Sequence, residues 1–211
     1  MKNYRKERFR LMKKRIVLLI CGMMILSMFG CAKKENGEQI ENSNGDVTET
    51  VTVDVADATE LLTNVWGTYT EAELFPIGGG DYENVVMDAP GKYDISKAEE
   101  MDSVLGLPQS SAAMIDDAAS IMHMMNANTF TCGAYHLTDA SNKQAFADAL
   151  KENIMNRQWM CGFPDTLLVA SVGDEYIVSA FGNAEIMETF KTKLTAQYEV
   201  AEVMYEESLV Q

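Results

Sequence analysis

Positive charge is scarce in most of this chain. It has 17 Lys and Arg against 32 Asp and Glu, and eight of the basic residues lie in the first thirty with a single acid, Glu7. Residues 31–211 therefore hold 9 basic and 31 acidic side chains, a net charge near −22. Phosphate backbones are gripped by clusters of Lys and Arg, so nucleic-acid binding is excluded. Long apolar runs are also missing. Residues 16–30 are the one uncharged apolar stretch worth considering, which excludes a polytopic membrane protein. Catalytic signatures are absent too: no Ser sits in a Gly-x-Ser-x-Gly elbow, and there is no His-Glu-x-x-His. Gly78, Gly79 and Gly80 do not form a phosphate loop, because no Gly-Lys-Ser/Thr follows and Asp81 and Glu83 repel an anion.

Fifteen residues span roughly 22 Å as a helix at about 1.5 Å per residue. That falls short of a bilayer core of roughly 30 Å. Basic residues 1–15 followed by apolar residues 16–30 read as an export signal rather than a permanent span. The junction Met28, Phe29, Gly30, Cys31 resembles the lipobox of bacterial lipoproteins, although Met28 and Phe29 replace the usual Leu and small residue. The resemblance implies that Cys31 is acylated, becomes the mature first residue and holds the protein on the outer face of the cell membrane. More than one acyl chain makes such an anchor slow to release. Residues 31–50 are nearly all polar and cannot bury enough apolar area to order, so they read as a disordered tether.

Residues 51–211 read as a single α+β domain, with the best-supported core at 97–196. Val51–Val55 alternate as a short strand does. Asp57 and Glu60 have capping-box spacing before Leu61, Leu62, Val65 and Trp66, which predicts a helix ending near Gly67. Residues 68–95 read as a loop with one irregular strand. Ser96 and Glu99 open a second short helix, stopped by Gly106 and Pro108. Residues 116–125 and 129–137 form a predicted hairpin, with 123 opposite 131. Phe146, Leu150 and Ile154 recur at helical spacing and predict a helix over 141–158. Strands at 167–172 and 175–181 then flank Gly173 and Asp174, read as a two-residue type II′ turn. Ile186, Phe190 and Leu194 mark a last helix, which residues 197–211 extend or fray. The expected architecture is a four-stranded antiparallel sheet with helices packed on one face.

The run from about 97 to 194 resembles a family of uncharacterised lipoproteins of anaerobic Gram-positive bacteria, domain of unknown function 4358. The likeness lies in Val104–Leu107, the Thr129–Leu137 strand, the helix at 141–158, Phe163 and Pro164, the hairpin at 168–178 with Gly173, Glu175 and Tyr176, and Ile186–Phe190. It implies no catalytic residue and no cofactor.

Export permits a disulfide between Cys132 and Cys161; two buried or half-buried thiols are the alternative. Cys132 and His136 share a strand face but are roughly 13 Å apart at about 3.3 Å per residue, and no second His/Cys cluster accompanies them, so no metal site is expected. His123 and His136 are not directly paired across the first hairpin. Asp81, Glu83 and Asp88 lack the spacing of a calcium loop and read as a solvated acidic face, as do Asp116 and Asp117. Among the 15 methionines, Met114, Met122, Met124 and Met125 cluster near the first hairpin, as core filling, an adaptable ligand surface or soft-metal ligands. The leading functional expectation is a non-enzymatic binding or interaction module whose partner is the membrane, through Cys31, and an envelope protein or small ligand. An enzyme or enzyme accessory acting on envelope material, and an accessory subunit of an envelope complex, are the alternatives.

Overall fold

The computed structural model describes residues 51–160 and 162–210. The signal, the tether, Cys31 and Cys161 lie outside the described residues.

Helix α1 (Ala58–Trp66) starts where the capping spacing places it. The Asp57 carboxylate accepts from the Glu60 N–H at 2.8 Å, and the Glu60 carboxylate reaches back to the Ala56 N–H at 2.7 Å. Two backbone donors at the helix start are thereby satisfied. Val51–Val55 form no strand. Val51 instead pairs with the distant residue Asp174, accepting from its N–H at 2.8 Å and donating to its carboxylate at 2.7 Å. Three very short strands follow, β1 (Ile77–Gly79), β2 (Val86–Met87) and β3 (Gly91–Lys92). The glycines here serve a backbone crossing: a Cβ on Gly79 would lie 2.1 Å from the Gly91 nitrogen.

Helix α2 (Ala98–Leu105) ends at Gly106, whose φ of 77° is left-handed. Ser96 does not cap it, because its hydroxyl is bound to Asp94 at 2.7 Å. The remaining elements are β4 (Ile115–His123), β5 (Phe130–Leu137), α3 (Lys143–Met155), β6 (Thr166–Val172), β7 (Tyr176–Gly182), α4 (Ala184–Gln197) and β8 (Ala201–Ser208).

All strands join one antiparallel sheet in the order β2-β1-β4-β5-β7-β6-β8, with β3 also on β4. The sheet thus has eight strands, not four. Three of the additional strands are two or three residues long, too short for any alternation to show. The fourth, β8, replaces the expected extension of the last helix. In β4–β5 the register sets Met122 opposite Thr131, one residue from the expected pairing. The second turn holds three residues, not two, since Val172 pairs with Tyr176.

Helices also cover both faces rather than one. α1 and α4 pack with Phe130, Cys132, Ala134, Leu168, Ala170 and Val178. α2 and α3 pack on the other face with Tyr135, Leu137, Leu167, Val169, Ile177 and Phe181. The topology explains why. The connections β5–α3–β6 and β7–α4–β8 each step over one strand in the same lateral direction, but β5 and β7 run oppositely. Crossovers of one hand then require their helices on opposite faces, and one hand is strongly preferred.

Phe146 of α3 is fully buried and meets the Tyr135 ring edge-on at 5.4 Å. Phe146→Ala should cost about 3 to 5 kcal/mol in urea denaturation, the range for emptying a buried aromatic position.

Candidate functional site

Where β4 ends and β5 begins, three segments converge. The Met124 N–H donates to the Pro76 carbonyl at 3.0 Å, tying the end of β4 to the approach to β1. The Asn128 amide donates to the carbonyls of Met160 and Gly162, at 3.0 and 2.9 Å. An open cavity of about 400 Å³ lies here, walled by Tyr82, Val85, Met122, Met124, Met125 and Phe181, with Arg157 at its side. A second, of about 890 Å³, shares Arg157 and is lined by Trp159, Phe163 and Leu209. Large apolar side chains around them stand in solvent: Tyr82 is 68% exposed, Phe163 71%, Met160 80% and Met125 82%.

Arg157 belongs to both cavities. Its guanidinium carbon lies 5.2 Å from the Trp159 ring centre and 5.8 Å from that of Phe181, and those rings are 5.0 Å apart. Nη2 donates to the carbonyl of Asp102 at 2.7 Å and to that of Ser103. Both carbonyls lie in the last turn of α2, and that of Asp102 also accepts from the Gly106 N–H at 3.2 Å. Burial lowers the guanidinium pKa, and the nearby Asp102 charge opposes that shift.

The residues singled out in the sequence fall elsewhere or play other parts. Met122, Met124 and Met125 do meet in the smaller cavity, while Met114 packs against the core beneath α2 and α3. His123 lines the smaller cavity and stacks on Phe75 at 5.3 Å; His136 sits far along the next strand, with Nδ1 2.5 Å from Asp116. Cys132 is fully buried among the α1 and α4 side chains, and burial pushes its thiol well above the ordinary range. Its proposed disulfide partner, Cys161, lies outside the described residues.

Two acidic readings are corrected. Asp117 is not on a solvated face. Its carboxylate accepts from the Ala58 N–H at the start of α1, at 2.8 Å, and pairs with Lys92 at 2.9 Å. Asp81 is buried rather than solvated. It accepts from the Glu83 N–H at 3.0 Å, from the Asn84 amide at 3.0 Å and from the Lys97 ammonium at 2.6 Å. Burial pushes its pKa up, but these contacts, Lys97 foremost, more than offset that and hold the carboxyl well below the usual carboxylate range. Asp81 organises the loop between β1 and β2. No second buried carboxylate faces it among the described residues. Among the described residues, no group of three or more His, Cys, Asp or Glu is placed to hold a metal ion.

Arg157 was not identified from the sequence. A solitary Arg after a helix has no motif, and its significance arises only from the packing of Trp159, Phe181 and the end of α2 around it.

A carboxyl whose pKa is depressed on folding stabilises the fold fully above its unfolded value, about 4, and loses that contribution as pH falls through the folded value. Asp81→Asn should therefore lower stability at pH 7 by about 2 to 3 kcal/mol. The gap from wild type, followed by urea denaturation, should close as pH drops below 4. In native protein Cys132 should resist iodoacetamide, as read by mass spectrometry of its peptide, and react once the chain is unfolded.

No family model, curated protein or solved structure matches this chain, so the resemblance to the lipoprotein family rests on the sequence motifs alone.

Proposed function

We propose that this protein is exported, anchored by acylation of Cys31 to the outer face of the cell membrane, and acts there as a binding module for an envelope protein or small ligand. The observation that carries the binding reading is the solvent-facing methionine and aromatic rim around the two cavities. Exposed apolar surface of this kind is costly to keep unless something covers it. The order of basic region, apolar region and Gly30-Cys31 followed by a polar run supports the anchor. Among the described residues no helix is long and apolar enough to cross a membrane, so the attachment proposed here rests on Cys31. Residues 51–210 carry 26 acidic against 7 basic side chains, a charge that holds the domain away from anionic headgroups and leaves the rim free.

Metabolic labelling with a clickable fatty acid should mark the wild-type protein, and Cys31→Ala should lose both label and membrane retention. Label persisting on the variant would contradict the anchor. For the binding reading, a photo-cross-linking side chain at Met125 on intact cells should give one discrete adduct. The same group at Glu152, on the exposed surface of α3, should give none. Equal yields at the two positions would contradict a specific binding rim.

A further inference from the structure

The cations of this domain are almost all spoken for. Lys92, Lys97, Lys143, Lys151, Lys191 and Lys193 each lie within 3.0 Å of a carboxylate oxygen. Among the described Lys and Arg residues, Arg157 alone has no carboxylate at ion-pair distance, in a region with nearly four acids per base. Asp102, the nearest candidate, is engaged by the Asn153 amide at 2.8 Å and the Gln109 amide at 3.5 Å. The Arg157 side chain is half-buried and spends only Nη2 on protein acceptors. A guanidinium offers five N–H donors, so those on Nε and Nη1 have no acceptor among the described residues. A half-buried charge without a counter-ion is unfavourable, and an arriving anion relieves it.

Of the two cavities that Arg157 borders, the larger is lined by Asp165, and the smaller is the one fitted to such an anion. Despite the acidity of the whole, no Asp or Glu lines it. Val85, Met122, Met124 and Phe181 supply apolar wall. Methionine walls adapt to irregular apolar shapes. A volume of about 400 Å³ suits a small molecule rather than a protein segment. One arginine balances one negative charge, and the field of the surrounding acids penalises each further charge on the ligand.

We propose that this cavity binds a small amphipathic monocarboxylate, with the carboxylate on Arg157 and the apolar body against the methionine wall. The proposal rests on the binding-module reading and assigns its ligand a chemical class. Electrostatic pairing inside a partly desolvated pocket favours the charged head over a neutral one of equal size.

Isothermal titration of the full chain in nanodiscs, with empty nanodiscs subtracted, tests this with three probes sharing one apolar body: 4-phenylbutyrate, 4-phenylbutanol and 4-phenylbutylamine. The acid should bind at least tenfold more tightly than the alcohol, and the amine should not bind. Arg157→Met should bring acid and alcohol to equal affinity, whereas Arg157→Lys, which keeps the charge, should retain part of the preference. Met125→Glu is at an exposed position that leaves the fold intact, and it should weaken the acid several-fold and the alcohol little. Equal affinity of acid and alcohol for wild type would overturn the anion site while leaving an apolar binding module. Acid binding unchanged in Arg157→Met would overturn its placement. Failure of all three probes to bind would overturn both the ligand class and this cavity as the binding site.

Discussion

Strands β5, β7 and β6 are buried on both faces, and that double burial governs the rest of the molecule. Side chains on successive positions must satisfy two different helical layers. Small residues are therefore set among large ones: Ala134 beside Tyr135 in β5, Ala170 beside Val169 in β6, Ala180 beside Phe181 in β7. Gly133 belongs to the same constraint, since a Cβ there would lie 2.3 Å from the Tyr135 hydroxyl. Polar positions within these strands, such as Thr131, Ser171 and Ser179, are also buried. A sheet closed above and below in this way leaves binding to its edges and to the loops at its ends.

The two edges are treated differently. β8 presents Glu202, Glu206 and Glu207, with Glu206 tied to Lys191 and Glu207 to Lys151. Charged side chains of this kind deter another strand from pairing there. β2 carries Val86 and Met87, both exposed, and leads back to Tyr82 and Val85 at the cavity. No Asp or Glu lines the smaller cavity beside Arg157, whereas Asp165 lines the larger one. The net charge of the domain and the acid-free lining are two sides of one distribution, which favours a ligand of single negative charge.

Much of this architecture was legible in the sequence because local chemistry and fold agree. Asp57 and Glu60 mark the start of α1, Gly106 the end of α2, and the stripe of Phe146, Leu150 and Ile154 the buried side of α3. The order of β4 to α4 also followed from periodicity. Misreadings occurred where long-range pairing overrides local pattern. In β8 the pairing jumps from Ala170–Val203 to Val169–Tyr205, so Met204 is an extra residue and the alternation breaks among the glutamates. A similar irregularity in β4 leaves Asp116 out of the ladder and beside His136. The second helical layer was invisible because a helix pattern carries no label for which face of a sheet it covers; strand direction and crossover hand decide that. Within the site, the methionines at 122, 124 and 125 stood out as a cluster. Arg157 did not, since its missing counter-ion is a property of three-dimensional neighbours.

The methionines are distributed so that one measurement examines the covered faces and the open rim together. Met101 and Met187 lie in the two helical layers and are essentially inaccessible, while Met87, Met124, Met125 and Met160 are exposed. Limited peroxide oxidation of the native chain, resolved residue by residue by mass spectrometry, should convert these four to sulfoxides rapidly and leave Met101 and Met187 unmodified until the protein is unfolded. Oxidation of Met101 or Met187 at a rate comparable to Met125 in native protein would contradict a sheet buried on both faces.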